Sequence, residues 1–163
     1  MPAEDVTPIE LRTLGTAALY ASDRVEVLLG PGKPLALLVY LALAPGRQAS
    51  RESLIDLLWS DLDQERGRRA LRQTLFNLRR VVGDETIAGA EELRLTVAID
   101  SDRDRFLTAL ERGEFELAVQ RYGGDFLPAF GIPGGAAFEQ WADLERERLR
   151  GEFGKHFVAT RNA

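Results

Sequence analysis

The chain has 163 residues, 45% hydrophobic and 29% charged, with a formal net charge of −5. That is length for one domain or a little more, with a globular balance and no low-complexity tract. Its longest apolar run, Leu35–Ala44, holds ten residues, well short of the ~20 that a membrane-spanning helix needs, and Met1–Asp5 carries acid where an export signal carries base. A cytoplasmic protein without membrane contact is expected. Cysteine is absent and His156 is the one histidine. This excludes disulfides, zinc fingers, iron–sulfur clusters and thiol nucleophiles, leaves no histidine-based metal site or catalytic triad, and points away from an enzyme, a resident metal or a cofactor.

Ile9–Leu14, Ala17–Tyr20 and Val25–Leu28 are short runs broken by Gly15 and by Ser22-Asp23, the pattern of an antiparallel meander. Gly30-Pro31-Gly32-Lys33-Pro34 marks a turn, and Pro34 suits the first position of a helix. That helix runs to about Ala44, is apolar nearly all round and so buried, and ends at Pro45-Gly46. Ser50 reads as the N-cap of a second helix, with Leu54, Ile55, Leu57, Leu58 and Trp59 on its apolar face and its end near Ser60. Asp61-Leu62-Asp63 then leads into a third helix from about Glu65 to Val82, stopped by Gly83 and roughly 27 Å long at 1.5 Å per residue. Thr86–Ala88 and Glu92–Val97 flank Gly89-Ala90-Glu91 as a hairpin.

Beyond Asp100 the period becomes helical. Phe106, Leu107 and Leu110 form one stripe, Gly113 breaks it, and Phe115, Ala118, Val119 and Tyr122 form another, giving a helical hairpin. A Gly/Pro-rich loop follows, then a last helix with Phe138, Trp141, Leu144 and Leu149 on its inner side. Tyr122, Phe138, Trp141 and Phe153 are expected in the core. Asp143–Arg146, Glu145–Arg148 and Glu147–Arg150 are spaced to pair along the outer side. The reading is an α+β protein with a seam near Ala98–Ser101, dividing a domain at 1–98 from an α-helical part at 99–163.

The charge distribution carries the functional signal. Of the 21 basic residues only Lys33 and Lys155 are lysines; the rest are arginine, the side chain suited to bidentate contact with phosphate and guanine. Gln64–Val82 has a local balance of +5, whereas Gly83–Asp104 has −5. Exposed charges are screened beyond ~8 Å at physiological salt, so a phosphate beside the first stretch responds to its arginines more than to the global sum. On a helical wheel Leu71, Leu75, Leu78 and Val82 define the buried side, leaving Arg66, Arg69, Gln73, Phe76, Asn77 and Arg80 opposite, with Arg72 and Arg79 on one flank.

A solvated basic helix would explain that pattern in isolation. Its setting decides otherwise: a short helix, an acidic linker, a basic helix and a hairpin follow the order of a winged helix-turn-helix. Arg69, Arg72, Gln73, Phe76 and Asn77 are accordingly expected to read base edges of double-stranded DNA, Arg66, Arg79 and Arg80 to grip phosphates, and Arg94 in the hairpin to reach the minor groove. The alternative is a protein-interaction module centred on exposed Phe76. Two mimics fall away. Asp100-x-Asp102-x-Asp104 imitates a calcium loop but has Arg105 where the turn requires glycine. Gly30-Pro31-Gly32-Lys33 lacks both the upstream glycine and the following Ser or Thr of a phosphate loop.

The block LGPGKPLALLVYLALAPGRQASRESLIDLLWSDLDQERGRRALRQTLFNLRRVVGD, followed by YGGDFLPAF and FEQWADLERERLR, resembles the bacterial transcriptional activators typified by the Streptomyces antibiotic regulatory proteins. The resemblance implies an OmpR-like winged helix on an N-terminal antiparallel sheet with a C-terminal hairpin wing. It further implies part of an all-α, TPR-like bacterial transcriptional activation domain of stacked helix pairs. It implies binding to direct repeats near promoters, as a homodimer or in tandem, and contact with RNA polymerase. Phe76-Asn77 departs from the small polar and basic residues that the family pattern would place there.

Overall fold

The computed structural model describes residues 9–128 and 130–161, with side chains as far as Lys155; Met1–Asp5 and the His156 side chain lie outside the described residues. In chain order the elements are β1 (Glu10–Arg12), β2 (Ala18–Tyr20), β3 (Val27–Leu29), α1 (Lys33–Leu43), β4 (Gln48–Ser50), α2 (Arg51–Leu58), α3 (Gln64–Val82), β5 (Ile87–Ala88), β6 (Glu92–Leu95), β7 (Asp100–Ser101), α4 (Asp102–Glu111), α5 (Phe115–Arg121) and α6 (Ala136–Arg161). They form two compact units. One combines the described parts of 9–30, 99–128 and 142–161; the other combines Pro31–Ala98 with Phe130–Trp141.

In the first unit the expected meander is present, β1 pairing antiparallel with β2 and β2 with β3. Leu11 and Leu19 face each other in register and are fully buried. The sequence gives no sign of β7, which pairs in parallel with the other edge of β1 through Glu10↔Asp100 and Leu11↔Ser101. A two-residue strand has no period to read; only its partner defines it. The compact units therefore do not divide the chain at one point: the N-terminal strands group with the helices after Ile99.

Asp102, at the start of α4, fixes this junction. Its carboxylate accepts from Thr13 N at 2.9 Å, Leu14 N at 2.9 Å and Thr13 Oγ1 at 3.0 Å. Burial pushes its pKa up, although these donors favour the charged form. Asp100 pairs with Arg24 and Arg105, and Asp104 with Arg103. The calcium mimic thus has every aspartate engaged with protein.

Helix α4 buries Phe106, Ala109 and Leu110, whereas α5 buries Ala118 alone. Val119, expected on the inner stripe, is 49% exposed. Tyr122 and Phe153 are half-buried and stack at 4.6 Å. Leu144, expected inside, is 69% exposed, because the inner face of α6 follows Phe138, Ala142 and Leu149 and leaves position 144 about 120° round the helix. The spaced pairs Asp143–Arg146 and Glu145–Arg148 form, but Arg150 turns to Asp125 instead of Glu147.

The second unit is built on α1, whose Leu35, Ala36, Leu37, Leu38, Val39 and Leu41 are buried. It packs against α2, α3 and the strands β4 and β6. Ser50 Oγ caps α2 by accepting from Ser53 N at 3.0 Å, and Asp63 Oδ1 caps α3 by accepting from Arg66 N at 2.9 Å. Gly83, at φ 105°, closes α3 in a conformation that side-chain-bearing residues avoid. Gly67 lets α3 approach α2: a Cβ there would lie 2.6 Å from Ile55 Cγ2. Trp59 is buried, as expected.

The expected hairpin exists as β5 and β6, but it belongs to a three-stranded sheet of order β4-β6-β5. β4 supplies the third strand through Gln48↔Arg94, Ala49↔Leu93 and Ser50↔Glu92. Residues 130–141 join this unit through Ser60 N to Gly134 O at 3.3 Å and an edge-on contact of Tyr40 with Trp141 at 5.2 Å.

Candidate nucleic-acid interface

Helix α3 buries Gly67, Leu71, Leu75 and Leu78 on one side, and each leucine removed from water contributes ~1.5–3 kcal/mol to holding the helix down. That anchoring determines what points outward. Arg66, Arg69, Gln73, Phe76, Asn77 and Arg80 are all exposed, so six of the sequence-predicted residues share one solvent-facing surface. Gln73 Nε2 donates to Asn77 Oδ1 at 3.2 Å, joining the two amides one turn apart. Phe76 is 57% exposed, and the Arg80 guanidinium lies 5.8 Å from its ring centre. Arg66 and Arg69 pair loosely with Asp63 at 3.7 Å and Glu65 at 3.6 Å. Such exposed pairs contribute little and exchange readily for another anion.

Two residues stand apart. Arg79 is half-buried and donates from Nε and Nη2 to Ile87 O at 3.2 and 2.9 Å. Its guanidinium, expected on phosphate, fastens α3 to β5. Arg72 is exposed but lies on the flank, where with Arg51, Arg68, Glu52, Asp56 and Glu91 it lines a concavity of about 340 Å³ beside α2. These charges balance one another, so that hollow has no net pull on an anion. Arg94 is exposed in the middle of β6, opposite Gln48 of β4 and Ala88 of β5. Arg68 is exposed and sits about 60° from Leu71, a flank position set apart from the most outward residues of the helix.

Chemically this surface offers guanidinium forks, two linked amides and an apolar ring on one face of a helix, the groups that base edges and phosphates can pair with. Among the described residues no group of His, Asp and Glu is disposed to hold a metal, and no helix is long and apolar enough to cross a membrane.

The architecture of α1 to β6, with a capped basic helix beside a three-stranded sheet, is that of a winged helix. Residues 26–96 match the family described as "Transcriptional regulatory protein, C terminal". The fold extends further: Mycobacterium tuberculosis EmbR, solved in complex with a low-affinity phosphopeptide, superposes with a TM-score of 0.68 and 19% identity over 93% of this chain. The match covers 44% of the EmbR chain, so this chain spans less than half of that protein's length. Both findings agree with the winged-helix fold and the helical part beyond it that the resemblance in sequence implies. No curated protein matches the chain significantly.

Proposed function

We propose that the protein is a cytoplasmic, sequence-specific transcriptional activator, not an enzyme, that inserts α3 into the major groove of double-stranded DNA. Residues 1–98 carry the DNA-binding role and 99–163 the role of a partial activation domain. The observation that supports this most is the single outward face holding Arg69, Gln73, Phe76 and Asn77 between Arg66 and Arg80 on a domain of the matched family. Arg69, Gln73, Phe76 and Asn77 read base edges, with Arg72 reaching the same groove from the flank. Arg66 and Arg80 hold phosphates. Arg94 enters the adjacent minor groove from the wing, and Arg79 keeps the wing aligned with α3.

The regulatory reading, with direct-repeat sites near promoters, tandem or homodimeric binding and contact with RNA polymerase, rests on the family resemblance. Selection of duplexes from a random pool tests both levels. Enrichment of a motif repeated in the same orientation is expected; inverted repeats would count against tandem binding, and an unenriched pool against sequence-specific recognition. The exposed ring of Phe76 favours a second reading, docking of another protein on α3. Salt separates the two, since phosphate contacts release counterions and give a steep dependence that an aromatic-centred protein contact lacks.

A further inference from the structure

Helices α4 and α5 carry an arginine group that the DNA-reading surface does not use. In the first unit Glu10 is shared by Arg12 at 2.8 Å and Arg24 at 3.4 Å, and Asp100 is shared by Arg24 and Arg105. Three guanidiniums therefore divide two carboxylates. Arg105, half-buried and paired with Asp100, also lines a concavity of about 370 Å³ bordered by Thr108, Arg112, Arg121, Asp104 and Glu114. Asp104 is already paired with Arg103 at 3.1 Å. Arg112 and Arg121 are exposed and have no ion-pair partner among the described residues.

Three guanidiniums line the cavity against the carboxylates of Asp104 and Glu114, leaving an excess of positive charge there. Burial lowers the pKa of Arg105, and the charges of Arg24, Arg121 and Arg12 push it the same way against the pull of Glu10. An anion between Arg105, Arg112 and Arg121 would relieve that repulsion, and Thr108 adds a hydroxyl at the same rim. Guanidinium forks match the oxygen geometry of phosphoryl groups better than that of a spherical halide. The cavity has the size of a small-molecule site, and Ala109 and Leu117 give it an apolar wall.

We infer that the α4–α5 cavity binds a phosphorylated small molecule, its phosphoryl group held by Arg105, Arg112 and Arg121 and its remainder against Leu117 and Ala109. The inference does not depend on DNA recognition by α3. Titration calorimetry of the full chain with pyrophosphate, against sodium chloride of equal ionic strength, is the test. Saturable binding is expected, weakened about tenfold or more by the double substitution Arg112→Gln/Arg121→Gln. Arg69→Gln/Arg80→Gln on α3 should leave it unchanged.

Arg121→Lys keeps the charge but loses the fork, and a severalfold weakening is expected; it also serves if the double variant fails to fold. Absence of pyrophosphate binding to the parent, retention of full affinity in the α4–α5 variants, or equal loss in the α3 variant would overturn the proposal. Duplex DNA forms a further arm. If the α4–α5 substitutions weaken DNA as much as pyrophosphate, the cavity holds backbone phosphate and the small-molecule assignment falls.

Discussion

Replacement of Gln73 by alanine separates reading from holding. The side chain is exposed and far from the leucine side of α3, and among the described residues it donates to Asn77 at 3.2 Å. An exposed pair one turn apart supports a helix by ~0.2–0.5 kcal/mol, so the fold should scarcely change. An amide that donates to and accepts from one adenine discriminates by ~1–3 kcal/mol, and freeing Asn77 from its partner works in the same direction. Gln73→Ala should therefore cost about fivefold to a hundredfold on the selected duplex and little on random DNA. Arg80→Ala should weaken both alike and reduce the slope of log K against log salt by about one. Fluorescence anisotropy on both duplexes at several salt concentrations measures the set. Equal weakening by Gln73→Ala on selected and random DNA, with melting unchanged, would refute α3 as the reader and move attention to Arg94 on the wing.

Arg79→Ala should lower stability by ~1–3 kcal/mol, since two charged donors leave a half-buried carbonyl, and should speed amide exchange in β5 while leaving the salt slope of DNA binding unchanged. Gly67→Ala gains up to ~1 kcal/mol of helix propensity but forces its new methyl onto Ile55, so a net loss is expected in urea titration, partly recovered by adding Ile55→Ala. Burial works to raise the pKa of Glu10, but Arg12, Arg24 and Arg105 hold it low, and Arg150 holds Asp125 low. Both contribute stability above their ordinary carboxylate values that is lost as pH falls through the depressed ones, so stability should drop below about pH 4 and Glu10→Gln should flatten the drop. Asp102, with a raised pKa, acts in the opposite sense and gains stability on protonation at higher pH, which should delay the onset. A fragment of residues 1–98 should melt below the full chain with the Thr13 and Leu14 amides unprotected, because it lacks β7 and their acceptor Asp102 while keeping the β1–β2 pair; coincident melting would contradict the grouping of β1 with the later helices.

What could be read from the sequence was whatever has a local cause. The leucine spacing of α3, the Ser50 cap, the glycine at 83 and the alternation in β6 each arise within a few residues, and each is present. β4 and β7 leave no local sign because the partner of β4 stands more than forty residues away along the chain and that of β7 ninety, and neither strand is long enough to display a period. Val119 and Leu144 misled for a related reason. Apolarity marks a residue that can be buried, but which side of a helix is covered depends on what it packs against, and surface apolar residues are common.

The same division runs through the site. Residues whose position follows from the helical period, Arg66, Arg69, Gln73, Phe76, Asn77 and Arg80, occupy the face that the period assigns. Arg79 and Arg72 sit about 80–100° from the core centre, where the period leaves a long side chain free to turn either way. There the neighbours decide: Ile87 O captures Arg79, and the charged rim beside α2 surrounds Arg72. Arg105 obeys the same logic in the other unit, where the parallel pairing of β7 with β1 brings Asp100 and Glu10 together. No local pattern around residue 105 could reveal that its charge is shared with Arg12, Arg24 and Arg121. Charges near the core boundary are therefore where a sequence stops specifying function by itself, and where structure adds most to the reading of this chain.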